Sequence, residues 1–339
     1  AMKFLIFTFL GSAFMLVAIL GLYFSLPGGE RTFDLVELAG RDWGNLIVPA
    51  QLLFTGFFIA FAVKLPIVPF HTWLPDAHTD APTAVSILLA GVLLKMGGYG
   101  LLRINVGLFP DEIVNIASAL AILGTINVVY GAFIVLRQTD LKRLIAFSSI
   151  SHMGFVLLGI SSVGIATDKL TSAGLNGAAL QLFTHGTITG LLFLSVGVIY
   201  QRTHTRYIPD LGGLASRMPL LSTMFMIAGL AALGLPSTSG FVSEILVLMG
   251  SFPAHKWPTI ISTSGVVLAA GYILWMTQRT LFGPRPPRYD DIRDASPSEL
   301  FAMLLLLIPI IGVGLYPKLL TAVFDTGLLP LIQLLGQPR

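Results

Sequence analysis

No cysteine occurs among the 339 residues. Thiolate-bound zinc, iron–sulfur clusters and disulfide staples are thereby excluded from this chain. Charge is almost as scarce: Asp, Glu, Lys and Arg make up 11% of the residues, against about 25% in ordinary soluble domains. The sequence also contains no HExxH metal helix, no phosphate loop and no GxGxxG turn after a strand. What is present is apolar, with 55% hydrophobic residues and a mean hydropathy of +0.84. That composition excludes a soluble globular chain and a disordered one. The net charge of +3, from 20 basic and 17 acidic residues, is too weak a bias to point to nucleic acid. Function has to be read from where the few charges sit.

A membrane-crossing helix needs about 20 mostly apolar residues. Such runs predict nine spans, at 4–25, 46–66, 81–105, 113–136, 143–163, 173–200, 218–252, 257–279 and 299–316. A shorter run, 319–335, holds Asp325, Gly327 and Pro330 and reads as a helix lying along the interface. The runs are continuous rather than alternating, so a membrane β-barrel is disfavoured and the fold class is all-α. Basic residues concentrate in alternate loops, 137–143, 201–217 and 279–298. The positive-inside rule places those loops in the cytoplasm, or the stroma of a thylakoid, and the loops 26–45, 106–112, 164–172 and 253–256 outside. The chain opens directly into an apolar run and with Ala1 rather than Met, so it is expected to start within a longer protein, not at a signal peptide.

Three charges lie inside apolar runs: Lys64 in FFIAFAVKLPIV, Lys95 in LLAGVLLKMGGYG and Glu244 in GFVSEILVLMG. A charge at the bilayer centre costs at least about 2.5–3.5 kcal/mol, and such residues usually face a bundle interior or a hydrated path. The bland alternative is snorkelling to an interface, or pairing that only holds helices together. Two of the three sit beside helix breakers. Lys64 is followed by Pro66 and Pro69, and Glu244 is preceded by GLPSTSG, Gly234 to Gly240. Broken helices at membrane depth occur where backbone is buried in protein or lines a cavity, and paired broken helices point to inverted-repeat transporters.

Histidines extend the pattern. His152 lies in FSSISHMGF with Ser148 one turn before it, and His185 lies among Thr184, Thr187 and Thr189. Histidine suits a proton relay because it titrates near neutrality, although a helix histidine can equally be a plain interhelical hydrogen-bonder. His71, His78, His204 and His255 stand near loops and are expected to be solvated.

Several stretches together resemble the antiporter-like membrane subunits of complex I. They are FAVKLPIVPFHTWLPDAHTDAPTAVSILLAGVLLKMGGYGLLR (61–103), RQTDLKRLIAFSSISHMGFVLLGI (137–160), LQLFTHGTITGLLFL (180–194), YQRTHTRYIPDLGGL (200–214) and ALGLPSTSGFVSEILVLMGSF (232–252). LLKMGGYG, SHMGF and THTR favour the chain 4 kind, called NuoM in bacteria and NdhD in cyanobacteria and chloroplasts. The resemblance implies a polytopic transmembrane helix bundle with inverted repeats and two broken helices. It divides the chain into 1–110 (remainder of a first repeat), 111–283 (second repeat) and 284–339 (last span and interfacial C-terminal helix). AMKFLIFTF is similar to the sixth helix of that family, so five upstream helices are expected to be missing here, among them the one whose glutamate pairs with Lys64.

The same resemblance implies a proton path through Lys64, Lys95, His152, His185 and Glu244, with no cofactor and no metal in this chain. NAD(P)H or ferredoxin, iron–sulfur clusters and quinone are expected in other subunits. The implied function is proton translocation as a non-redox subunit of an NAD(P)H or ferredoxin:quinone oxidoreductase. The implied partners are other membrane-arm subunits and the lipid bilayer of a bacterial plasma membrane or thylakoid, with no nucleic acid. Multi-subunit cation/proton antiporters and membrane hydrogenases share these motifs, and a non-pumping structural spacer is the alternative of a different class.

Overall fold

The computed structural model describes residues 2–39, 41, 43, 46–164 and 169–335. Parts of the expected loops 26–45 and 164–172 lie outside the described residues. In chain order the main helices are α1 (Met2–Ser25), α2 (Ala50–Lys64), α3 (Trp73–Asp80), α4 (Thr83–Val106), α5 (Ala117–Val135) and α6 (Leu141–Ile160). They continue with α7 (Lys169–Thr203), α8 (Pro219–Ala232), α9 (Ser239–Ser251), α10 (Lys256–Leu281), α11 (Pro297–Leu315) and α12 (Lys318–Leu335). Among the described residues there is no β-strand, only an isolated bridge between Asp140 and Tyr207. Hydrocarbon offers backbone groups no partner, so long apolar runs close their hydrogen bonds within a helix.

Among the described residues, eight helices are long and apolar enough to cross a membrane by length and composition. Seven coincide with expected spans, and the eighth is α12. The expected spans 46–66 and 218–252 are the interrupted ones: α2 ends at Lys64, and α8 and α9 are parted by residues 233–238. Helix ends follow the sequence closely. Asp140 caps α6, its Oδ1 accepting from the Lys142 and Arg143 amides at 2.8 and 3.1 Å. Ser296 and Glu299 form a capping box at the start of α11.

The centre of the bundle is α6, whose apolar window is 94% buried against 17% for α1, α11 and α12. It packs on α5 through small residues that let the backbones touch. A Cβ on Gly124 would sit 2.8 Å from the Gly154 carbonyl oxygen, and one on Gly131 would sit 2.7 Å from the Ser151 amide. Small residues at such crossings are how apolar helices associate without a hydrophobic driving force. The three basic loops meet on one face. Arg206 pairs with Asp140 at 3.3 Å, Arg288 with Asp210 at 3.7 Å, and Arg202 with Glu299 at 2.8 Å. The partners of α12 lie toward the opposite end, where Leu331 packs on Gly107 and Asp325 on Asn176.

Both interruptions have hydrogen bonds to replace those of the helix, the first from neighbouring elements and the second from within its own turn. At the first, the Trp73 indole N–H donates to the Val63 carbonyl at 2.9 Å. Asn127 on α5 completes the repair: its Oδ1 accepts from the Val68 amide at 2.9 Å and its Nδ2 donates to the Pro66 carbonyl at 3.2 Å. At the second, the Leu235 amide donates to the Leu230 carbonyl at 3.0 Å across a turn with Gly234 at φ +80°. One feature was not legible in sequence. The α4 span contains two π-helical segments, Leu89–Leu93 and Leu101–Val106, on either side of Lys95. Gly97, Gly98 and Gly100 between the two segments are close-packing positions, where a Cβ would lie 2.7 Å from the Leu65 amide and closer still to the Leu182 and Phe61 side chains, respectively.

Asn127 has a testable role. Asn127→Leu keeps the branched shape but strands the Val68 amide and the Pro66 carbonyl, each costing about 1–3 kcal/mol when buried and unpaired. The expected outcome is a lower thermal midpoint of the purified protein, and an unchanged midpoint would show that the first break does not depend on this side chain.

Candidate functional site

The second break delivers a carboxylate to the bundle interior. Glu244 lies in the second turn of α9, 5% exposed. Gly234 makes room for it, since a Cβ there would stand 2.9 Å from Glu244 Oε2. Glu244 Oε1 lies 3.1 Å from Nδ1 of His152 on α6. The His152 ring sits 5.6 Å, centroid to centroid, from the ring of His185 on α7. Nδ1 of His185 is in turn 2.7 Å from the Lys95 ammonium on α4. Lys95 also donates to the Ala90 carbonyl, five residues back in the first π segment. Four of the five expected residues thus form one contiguous series, from Lys95 through His185 and His152 to Glu244.

Hydroxyls and an amide surround this series. Ser148, Gln181, Thr184 and Thr189 line a cavity of about 10 Å³ between the two histidines and Glu244. That is close to the smallest space that can hold one water. Ser243 bonds Gln181 and lies 3.0 Å from Thr184 Oγ1. His185 Nε2 is buried without a partner. Each member of the series carries an ionisable side chain, with direct contacts at both ends and the two imidazole rings adjacent at the centre. Among the described residues no three His, Asp or Glu side chains are grouped to hold a metal ion.

Lys64 is not part of the series. It sits in the last turn of α2, half-buried. Among the described residues no hydrogen bond or ion pair reaches its ammonium. Its backbone packs on the turn that follows Lys95, where a Cβ on Gly97 would meet the Leu65 amide at 2.7 Å and Lys64 Cβ at 3.0 Å.

Residues 1–269 match the family described as NADH:quinone oxidoreductase/Mrp antiporter, TM. The chain belongs to that family. It is 46% identical over 336 residues to the NAD(P)H-quinone oxidoreductase chain 4 of Acaryochloris marina, covering 96% of this chain and 61% of that protein. It is similar in structure to a chain of the respiratory complex I of Thermus thermophilus with bound NADH. There the TM-score is 0.87 at 31% identity, covering 99% of this chain and 69% of that one. A chain of the Mrp complex from Dietzia shares the fold, with a TM-score of 0.84 at 19% identity over 98% of this chain and 69% of that one. The chain spans about three-fifths of the length of the curated relatives it matches.

Within this member of the family, two histidines depart from the sequence reading. His71 and His78 are buried, not solvated. His71 Nε2 lies 3.2 Å from the Tyr130 hydroxyl. His78 stacks on Phe193 at 4.6 Å, and neither of its ring nitrogens has a partner. His255 is half-buried, with Nε2 3.0 Å from the Ser161 carbonyl, whereas His204 is exposed. Lys142 also departs from its reading as a loop charge. It is buried and donates to the Ala81 carbonyl at 2.7 Å. The cause is shared: the chain re-enters the protein after the first break as the short helix α3, too brief to register as a span. The available signal was a stretch of helix-compatible residues between Pro69 and Pro82.

Gly234 offers a direct test of the carboxylate's seat. Gly234→Ala would force a side chain into the left-handed region and against Glu244. Backbone strain of this kind costs on the order of 1–3 kcal/mol. A lower thermal midpoint is expected, and an unchanged one would show that neither constraint operates.

Proposed function

We propose that this chain translocates protons as a non-redox membrane-arm subunit of an NAD(P)H or ferredoxin:quinone oxidoreductase, beside other membrane-arm subunits. The observation that carries the proposal is the contiguous series Lys95–His185–His152–Glu244 across α4, α7, α6 and α9, hydrogen-bonded at both ends with the two histidine rings 5.6 Å apart at its centre. A structural spacer gains nothing from four ionisable side chains in its interior, because each adds a desolvation cost. The series ends at Glu244 beside the second break, and Lys64 stands beside the first. That placement supports reading 1–110 and 111–283 as two inverted repeats with the path between them.

In this reading Lys64 is the switch. A counter-charge brought to it holds its proton, and removing that charge drives the proton to Lys95. His185 takes it at Nδ1, the 5.6 Å step to His152 is made by a water or by ring rotation, and Glu244 receives it from His152 Nδ1. Moving one charge across 100 mV takes about 2.3 kcal/mol. Gaining or losing one buried ion-pair partner changes energies by about 3–5 kcal/mol, so one such switch is sufficient.

The test uses the intact assembly in inverted membrane vesicles, with proton uptake followed by dye quenching during quinone reduction. Lys95→Ala and Glu244→Gln are expected to slow proton transfer through this chain by at least about tenfold, as loss of a positioned proton-transfer group does. The ratio of protons to electrons should fall while the assembly remains intact. An unchanged ratio in either variant would overturn the proposal.

A further inference from the structure

The series described above stops at Glu244, inside the bundle, and nothing in it leads to the face opposite the basic loops. Beyond Glu244 on that side lies a cavity of about 490 Å³ between α7, α9 and α12. Asn176, Asp325, Ser172 and Thr321 are its polar lining residues. Asn176 is buried, donates from Nδ2 to Asp325 Oδ1, and has its own Oδ1 without a partner. An acid is thus held at the wall of a roomy cavity by a buried amide with spare acceptor capacity, which is where water is stabilised.

An apolar cluster adjoins both the cavity and the Glu244 site. Leu180, Val242 and Val313 form a buried cluster of their own, with Leu246, Leu320 and Phe324 packed against it. Leu180 and Val242 are the chain neighbours of Gln181 and Ser243, which bond each other at the Glu244 site. Val242 also lines the outer cavity. On α7, Gln181 and Asn176 are five residues apart, about 7.5 Å along the axis. An apolar constriction of that length holds back water when closed and passes it when a side chain moves, as hydrophobic constrictions in channels do.

We propose that the proton leaves through this cluster: Leu180, Val242 and Val313 form a gate, and Asp325, positioned by Asn176, is the acceptor on its far side. This rests on the reading of the chain as a proton translocator. The O–H bond of protonated Glu244 breaks, a water crossing the wetted gate carries the proton, and an O–H bond forms at Asp325. Asp325 then releases the proton to the outer water, and Glu244 is left as carboxylate. No electrons move and no other reactant is needed.

Three variants test the gate in the intact assembly: the near-isosteric Asp325→Asn and Val242→Thr and the charge-conserving Asp325→Glu, with Glu244→Gln as reference. Asp325→Asn is expected to slow proton delivery by about tenfold, and Asp325→Glu to restore most of it. Val242→Thr adds a hydroxyl to the gate without changing its size. It should raise the passive proton conductance of vesicles in the absence of redox turnover, and adding Glu244→Gln should abolish that leak. If Glu244→Gln stops transport while Asp325→Asn and Val242→Thr change neither delivery nor leak, the exit route is wrong and the translocator reading stands. If Glu244→Gln itself leaves transport intact, the translocator reading fails and the exit route with it.

Discussion

An unpaired polar group in hydrocarbon costs several kcal/mol, and the architecture follows from that constraint. It governs backbone and side chains alike. Where α2 stops, Trp73 and Asn127 take over the released carbonyls and amide. Where α8 stops, a glycine turn closes its own hydrogen bond and leaves an opening for Glu244. Four of the interior ionisable groups obey the same rule by finding one another: Lys95 against His185, His152 against Glu244. Each interaction is modest alone. Together they gather groups that would destabilise an apolar bundle into one series inside it.

Close approach of backbones makes that line possible. Gly124, Gly131 and Gly154 bring α5 onto α6 and fix the frame on which His152 is mounted. Gly186 and Gly91 face each other one residue from His185 and one turn from Lys95, a Cβ on Gly186 standing 3.1 Å from the Gly91 carbonyl oxygen. With larger residues there, α4 and α7 would separate and the 2.7 Å contact between Lys95 and His185 would open.

Much of this was legible in the sequence because the signals were strong and local. Twenty-residue apolar runs gave the helices, and proline and glycine beside Lys64 and Glu244 gave the breaks. His152 and His185 stood out as ionisable groups in apolar helices. Other features depended on partners remote in the chain. Nothing around Asn127 in INVVYG shows that its side chain will serve the backbone of residues 66–68. His78 and Lys142 looked solvated because they flank loops, yet tertiary packing buries both beside α4. The π segments escaped because periodicity over a continuous apolar run cannot reveal one extra residue in a turn.

Those π segments set the rotational phase of α4. Each residue of an ordinary α-helix advances about 100° around the axis, so one surplus residue absorbed in a turn shifts everything beyond it by that amount. The first segment lies between Thr83, which packs on Gly197 of α7, and Lys95. The helix is therefore keyed to α7 in two phases, one for its packing end and another for its charged middle. Losing a single residue between 89 and 93 would leave the span long enough to cross the bilayer, yet aim Lys95 about a quarter-turn away from His185. Length tolerance and phase tolerance are separate properties in this helix, and only the first is generous.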